Sequence, residues 1–194
     1  MHCLVTSLIC RGYWFYVCGR IPEGKDATAI DRKLIQKYDC NNSKSTRWRR
    51  KKNGFANVRY FRWNDFFVLI ATKGQHLFFE EEADVKDIRK IPLKVGGYSI
   101  SFRRDGSPRF RKTQQHRVHV RIGDREYQEL LARFEHYCTQ LSAKKLAAEL
   151  YQIPFEGYAP VRRQLCRLLR LVNKRRRRSG LSQLPSTCLH LRRR

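Results

Sequence analysis

Two periodicities divide the chain. Up to Ile122 apolar and aromatic residues come in short runs or alternate with polar ones, whereas beyond Asp124 they recur at three- and four-residue steps. The first pattern predicts half-buried strands and the second amphipathic helices. Gly12 to Arg20 (GYWFYVCGR) is dense in β-formers and stops at Ile21-Pro22-Glu23-Gly24, so it predicts the first strand. The patchily apolar stretch from Met1 to Cys18 carries Arg11, has no basic leader and no small-residue cleavage site, and reads as buried strand rather than a signal peptide. Ile30, Leu34, Ile35 and Tyr38 then fall at helical spacing behind Asp26, a capping residue, and predict a short helix that Asn41, Asn42 and Ser43 end and after which they can cap another.

Lys44 to Lys52 (KSTRWRRKK) reads as a basic helix or loop closed by Asn53-Gly54. Val58 to Trp63 and Phe66 to Thr72 flank Asn64-Asp65, a two-residue turn tolerant of positive φ, and predict a hairpin at the centre of the sheet. The acidic stretch Glu80 to Asp87 reads as an irregular crossing or a single helical turn. Gly96-Gly97 marks a bulge or bend before Tyr98 to Arg103, and Asp105-Gly106-Ser107-Pro108 reverses the chain. In His116 to Ile122 the residues Val118, Val120 and Ile122 share one face, with Arg117, His119 and Arg121 on the other.

Asp124, as N-cap with Glu126 in the first turn, opens a helix whose stripe is Tyr127, Leu130, Leu131, Phe134, Cys138 and Leu141; Ser142 caps a shorter one through Leu146 and Leu150. Pro160 suits the first turn of a long helix that ends near Gly180. The fold class is therefore α+β, with an antiparallel sheet in the N-terminal two thirds and a C-terminal helical segment ending in a long basic helix. The expected organisation is mainly antiparallel β with one or two short helices over 1–122, helices packed on the sheet over 123–180, and a basic mobile tail over 181–194.

Charge changes this picture from a generic α+β protein to one that needs an anionic partner. Lys and Arg number 42 against 17 Asp and Glu, a net +25. Self-repulsion on that scale penalises the compact free state, and neutralising polyphosphate relieves it while releasing condensed counterions. No apolar run approaches the ~20 residues that cross a bilayer. The seven cysteines are odd in number, scattered, and never spaced C-x-x-C, so they read as thiols of a reducing, intracellular compartment, cytoplasmic or nucleoid-associated.

Two elements carry the candidate chemistry. In the last helix Val161, Leu165, Leu168, Leu169 and Val172 form an apolar stripe, while Arg163, Arg167, Arg170, Lys174 and Arg177 step along another face. Lys174-Arg175-Arg176-Arg177-Arg178 then reads as basic all round and free to extend beyond the core. The second element is Arg47-Trp48-Arg49-Arg50-Lys51-Lys52, followed by Arg59 and Arg62 among Tyr60, Phe61 and Trp63. Cations interleaved with aromatics suit single-stranded or looped nucleic acid, because rings and guanidinium planes stack on bases while charge holds the backbone. Arg117 and Arg121 add a cationic strand face. The expected function is nucleic-acid binding, RNA favoured over DNA, through phosphate contacts from these residues.

Alternatives are a nucleic-acid-processing enzyme of a mobile element, a metal-dependent nuclease or transposase, and a structural component of a ribonucleoprotein particle. For catalysis the chain offers His116 and His119, whose odd separation on a strand puts them on opposite faces. It also offers the carboxylates Asp65, Glu80, Glu81, Glu82, Asp84, Asp105 and Asp124, which show no ligand spacing, and Tyr158 as a strand-transfer nucleophile without an evident base. The reading therefore leans away from an enzyme; no cofactor is expected, and Mg²⁺ enters only with the enzyme alternative.

Overall fold

Capping and turn chemistry set most element boundaries in the computed structural model, which describes residues 2–104 and 116–189. Helix α1 (His2–Ile9) opens the chain and strand β1 (Tyr13–Arg20) follows after Gly12, whose φ is +95°. Residues 2–9 thus depart from the buried strand expected of this stretch. A short apolar run does not distinguish helix from strand by itself, and here Val5 and Ile9, four apart on one helical face, are both fully buried. Asp26 caps α2 (Ala27–Lys37) by accepting the Thr28 N–H at 2.8 Å, and Ser43 caps α3 (Lys44–Lys52) by accepting the Thr46 N–H at 3.1 Å.

Strands β2 (Val58–Trp63) and β3 (Phe66–Thr72) form the expected hairpin, with Asn64 at φ +53° in its turn. Helix α4 (Leu77–Glu81) and the short strand β4 (Lys86–Asp87) divide the acidic stretch between them. Strands β5 (Leu93–Val95) and β6 (Tyr98–Arg104) meet at Gly96-Gly97, both at positive φ, and β7 (His116–Ile122) completes a sheet of order β5-β6-β7. The reversal expected at Asp105 to Pro108 lies outside the described residues. Helices α5 (Asp124–Tyr137), α6 (Ala143–Tyr151) and α7 (Ala159–Arg178) follow, and a 3-10 turn at Ser186–Cys188 comes last; the cap of α5 is Gly123, so Asp124 is its first helical residue and not the expected cap. Antiparallel sheets in the N-terminal two thirds and helices in the last third make the fold α+β. No helix among the described residues is long and apolar enough to cross a membrane.

The larger sheet has the order β2-β3-β1-β4. The hairpin is therefore not central as a whole: β3 is interior and β2 is an edge. Composition explains the difference, because β3 (FFVLIAT) is buried from Val68 to Thr72, whereas β2 (VRYFRW) carries Arg59 and Arg62, one on each face, which an edge accommodates and a middle strand does not. On one face Val58, Leu69 and Ala71 pack with Tyr38 and Phe78, flanked by Leu34, Ile35, Tyr60 and Phe79. Arg59 and Phe61 of β2 therefore project to the opposite face, in register with the buried Ile70 and Val68.

The described residues form two compact units, one of 2–93 with 101–104 and 116–118, the other of 94–100 with 119–189. In the second unit Val161, Leu165, Leu168, Leu169 and Val172 of α7 are buried, as are Tyr127 and Phe134 of α5 and Leu146 and Leu150 of α6. The Gln164 carboxamide closes a two-way bond with the backbone of Ile122, accepting its N–H at 2.8 Å and donating to its carbonyl at 3.1 Å. The stretch expected as a mobile tail is described as far as Leu189, and there Leu184, Cys188 and Leu189 are buried. Asn173 fastens it by exchanging two hydrogen bonds with the backbone of Leu184, at 2.9 and 2.8 Å. The Arg192 to Arg194 end lies outside the described residues.

Candidate nucleic-acid interface

In the first unit the basic block is a helix held at both ends. The Ser43 cap fixes its start, and the Arg47 guanidinium donates to the Asn42 carbonyl just before it. Asn57, buried at the start of the hairpin, donates to the Arg47 carbonyl at 3.0 Å, and Arg50 reaches the Ala56 carbonyl and the Asp39 carboxylate, the latter at 3.1 Å. The loop leaving α3 is gripped from outside: Ala56 N–H donates to the Gln75 carbonyl and Gln75 N–H to the Gly54 carbonyl, each at 3.0 Å. Gly74 permits that approach, since at φ +142° a Cβ there would stand 2.5 Å from Ala56 N.

Held this way, α3 forms one wall of a groove of about 710 Å³ lined by Ser7, Leu8, Arg11, Tyr13, Lys44, Arg47, Arg59 and Phe61. Three separate stretches of chain supply its cations: Arg11 comes from the turn after α1, Lys44 and Arg47 from one face of α3, and Arg59 from the edge strand. Lys51 continues the α3 face, its Nζ lying 4.0 Å from the position a Gly12 side chain would take. Among the described residues no carboxylate lies within ion-pair distance of Arg11, Lys44, Arg47 or Arg59. Phe61 contributes an aromatic face and Tyr13 a ring that is only 6% exposed. Burial pushes the Tyr13 phenol above its ordinary pKa against the pull of Arg47, Arg59 and Arg11, so the hydroxyl stays a proton donor, and no described residue accepts from it.

In the second unit α7 carries the other cationic surface. Arg163, Arg167, Arg170, Lys174 and Arg177 are exposed along one face, and none of them has a carboxylate within ion-pair distance among the described residues. Two residues of the terminal run differ from the expectation that it is basic all round. Arg176 is 2% exposed and its guanidinium donates to the carbonyls of Ser182, Cys138 and Leu141 at 2.6, 2.7 and 2.9 Å, so it is a structural cross-link and not a phosphate contact. Arg175 pairs with Glu135 at 2.7 Å. The buried stripe continues one turn beyond Val172 to Arg176, and this keeps the helix on the core where extension into a groove was expected.

The remaining expected binding residues sort by what already holds them. Arg62 donates to both Asp31 oxygens at 2.9 Å, and Arg121 pairs with Asp124 at 2.8 Å. Arg49 and Lys52 are exposed, as is Arg117, which has a partner within the chain. Trp48 is 64% exposed with Lys52 Nζ 5.4 Å from its ring centre, an aromatic face presented to solvent beside a cation. Arg11, Lys44 and Tyr13 belong to the groove and were not among the residues expected to bind, whereas Phe61 was expected only as one of the rings interleaved with the cations of β2. The steps Lys44, Arg47, Lys51 and the same-face pair Arg59 and Phe61 are readable from periodicity; Arg11 and Tyr13 join them only through the fold.

Several of the groups considered for catalysis are engaged elsewhere, and Asp105 lies outside the described residues. Asp65 pairs with Arg20, Glu81 with Lys37 and Asp84 with Lys86, and Glu82 accepts the Tyr38 hydroxyl. Among the described residues no three His, Cys, Asp or Glu side chains are placed to hold a metal ion. Tyr158 stands at the start of α7 with its ring edge-on to Tyr98, 6.3 Å between centroids. Comparison with known protein families, curated proteins and solved structures finds no match.

Proposed function

We propose that this protein binds nucleic acid, with single-stranded RNA its favoured partner, by neutralising backbone phosphates in the groove of the first unit and along the exposed face of α7. The observation that carries this reading is the gathering of Arg11, Lys44, Arg47 and Arg59 beside Phe61 and Tyr13, with no carboxylate among the groove's lining residues. Like charges brought together from separate elements repel one another in the free protein, and an anion in the groove converts that cost into attraction. The aromatic faces of Phe61 and the exposed Trp48 favour unpaired strands, whose bases are free to stack.

The test is affinity for single-stranded RNA, single-stranded DNA and duplex DNA of matched sequence over a salt series, with Mg²⁺ present and the products run on a denaturing gel. The expected result is intact RNA bound most tightly, with affinity falling steeply as salt rises. Affinity that is absent at low salt, or flat across the series, overturns the reading. Cut or joined strands would bring forward the nuclease or transposase alternative.

A further inference from the structure

We infer that the groove of the first unit holds the terminal phosphate monoester of a nucleic-acid strand, an inference that rests on the nucleic-acid reading of the same site. An internal backbone phosphate carries one charge and is served by a convex row of cations such as α7 offers. The groove is built differently. Arg11, Arg47 and Arg59 reach it from three elements and Lys44 adds a fourth positive group, so its cations line one concave space instead of a single row, and a group of higher charge than a backbone phosphate gains most there. A terminal monoester is such an anion: near neutral pH it bears about −1.5 to −2 charge on three strongly accepting oxygens. A guanidinium fork pairs with two of those oxygens at once, and arginine supplies three of the groove's four cations, Arg47 with the donors that its bond to Asn42 leaves over.

Tyr13 is the second observation. Its ring is 6% exposed, yet it lines the groove and its hydroxyl has no partner among the described residues. The hydroxyl opens onto the solvent of the groove as a proton donor, and an anion bound there takes the place of water as its acceptor. Phe61 on the same wall offers a face for the terminal base, and about 710 Å³ is within the roughly 300 to 1,000 Å³ of small-ligand sites.

The experiment uses the full chain and one short single-stranded RNA made in three forms: 5′-phosphate, 3′-phosphate, and hydroxyls at both ends. Fluorescence anisotropy should show one phosphorylated form binding roughly tenfold tighter than the hydroxyl form, the scale of an added charge-assisted hydrogen bond; the form preferred identifies the end. Arg59→Gln and, separately, the exposed-turn variant Arg11→Gln should each bring that form down towards the hydroxyl level. Arg163→Gln with Arg167→Gln and Arg170→Gln should weaken all three forms alike and keep the preference. Equal affinity for the three RNAs, with binding intact, overturns the terminal-phosphate site and leaves nucleic-acid binding standing. A preference that survives both groove variants also overturns it, whereas loss of all binding at low salt overturns both readings.

Discussion

Arg176 and Arg177 are neighbours in a run of like residues and have opposite surroundings. The first is buried and donates to the carbonyls of Ser182, Cys138 and Leu141, while the second is exposed. Among the described residues no carboxylate pairs with Arg176, so the carbonyls at the end of α5 and beyond it stabilise the charge, as they do at any helix C-terminus. Shortening Arg176 to Gln leaves those acceptors without a donor inside the core. Arg176→Gln should destabilise the fold by about 2 kcal/mol or more, read as a lower urea midpoint, and Arg177→Gln should stay within about 0.5 kcal/mol. Equal effects would mean that the three bonds are not made. His76 gives a residue-scale test by pH. Its Nδ1 accepts the Phe78 N–H at 3.0 Å to cap α4, and burial first, then Arg50, hold its pKa below the ordinary 6.5. The unfolded chain therefore takes up this proton at higher pH than the folded one. The His76 contribution is present above 6.5 and lost as pH falls through that value towards the folded pKa. His76→Asn keeps a capping acceptor and removes the titration, so melting temperature against pH should lose this limb between about pH 7.5 and 5. An unchanged limb would assign it to another group.

At the scale of elements, α7 has a buried apolar face and an exposed basic face, and on the nucleic-acid proposal these two faces separate folding from binding. Leu165 and Leu169 are 3% and 7% exposed, and changing either to Ala should cost about 2 to 5 kcal/mol of stability. Replacing Arg163, Arg167 and Arg170 by Gln should leave melting nearly unchanged and flatten the dependence of RNA affinity on salt, by roughly 0.7 in logarithmic slope for each single-strand phosphate that is no longer neutralised. A stability loss from the arginine set, or an unchanged slope, would remove this face from the interface. These two faces were legible before the fold because both follow from a local 3.6-residue repeat. So were the caps at Asp26, Ser43 and Ser142 and the turn at Asn64, each set by residues within a few positions of one another. What stayed illegible depends on distant chain. Residues 2–9 become a helix because Val5 and Ile9 find a core to enter, and β2 becomes an edge because β1 pairs with the far side of β3. The groove combines both kinds of information: its α3 and β2 residues follow periodicity, while Arg11 and Tyr13 arrive through tertiary structure alone.

For the whole molecule the net charge of +25 is plain in the sequence, but its distribution is not. Several arginines that look available serve the chain itself: Arg176 bridges carbonyls, Arg50, Arg62, Arg121 and Arg175 face carboxylates, and Arg47 is half-buried with one bond to Asn42. Each unit nevertheless keeps cations without acidic neighbours, in the groove of one and along α7 of the other. That distribution gives salt two effects of opposite sign. Screening lowers the self-repulsion of the free protein, whose like charges interact over a Debye length of about 10 Å at 0.1 M, so its melting temperature should rise as salt increases. The same salt removes the counterion-release advantage of binding, so RNA affinity should fall over the same range. At low salt, adding RNA should replace the missing screening and raise the melting temperature, because a ligand that binds only the folded chain stabilises it by mass action. Thermal melts at low and moderate salt, each with and without RNA, test both effects together. The expected pattern is a large RNA-induced rise at low salt that shrinks as the salt-induced rise of the free protein grows. If the free protein melts lower as salt increases, its ion pairs, such as Arg20 with Asp65 and Arg62 with Asp31, outweigh the repulsion, and the excess charge is not held at a cost that a nucleic acid relieves.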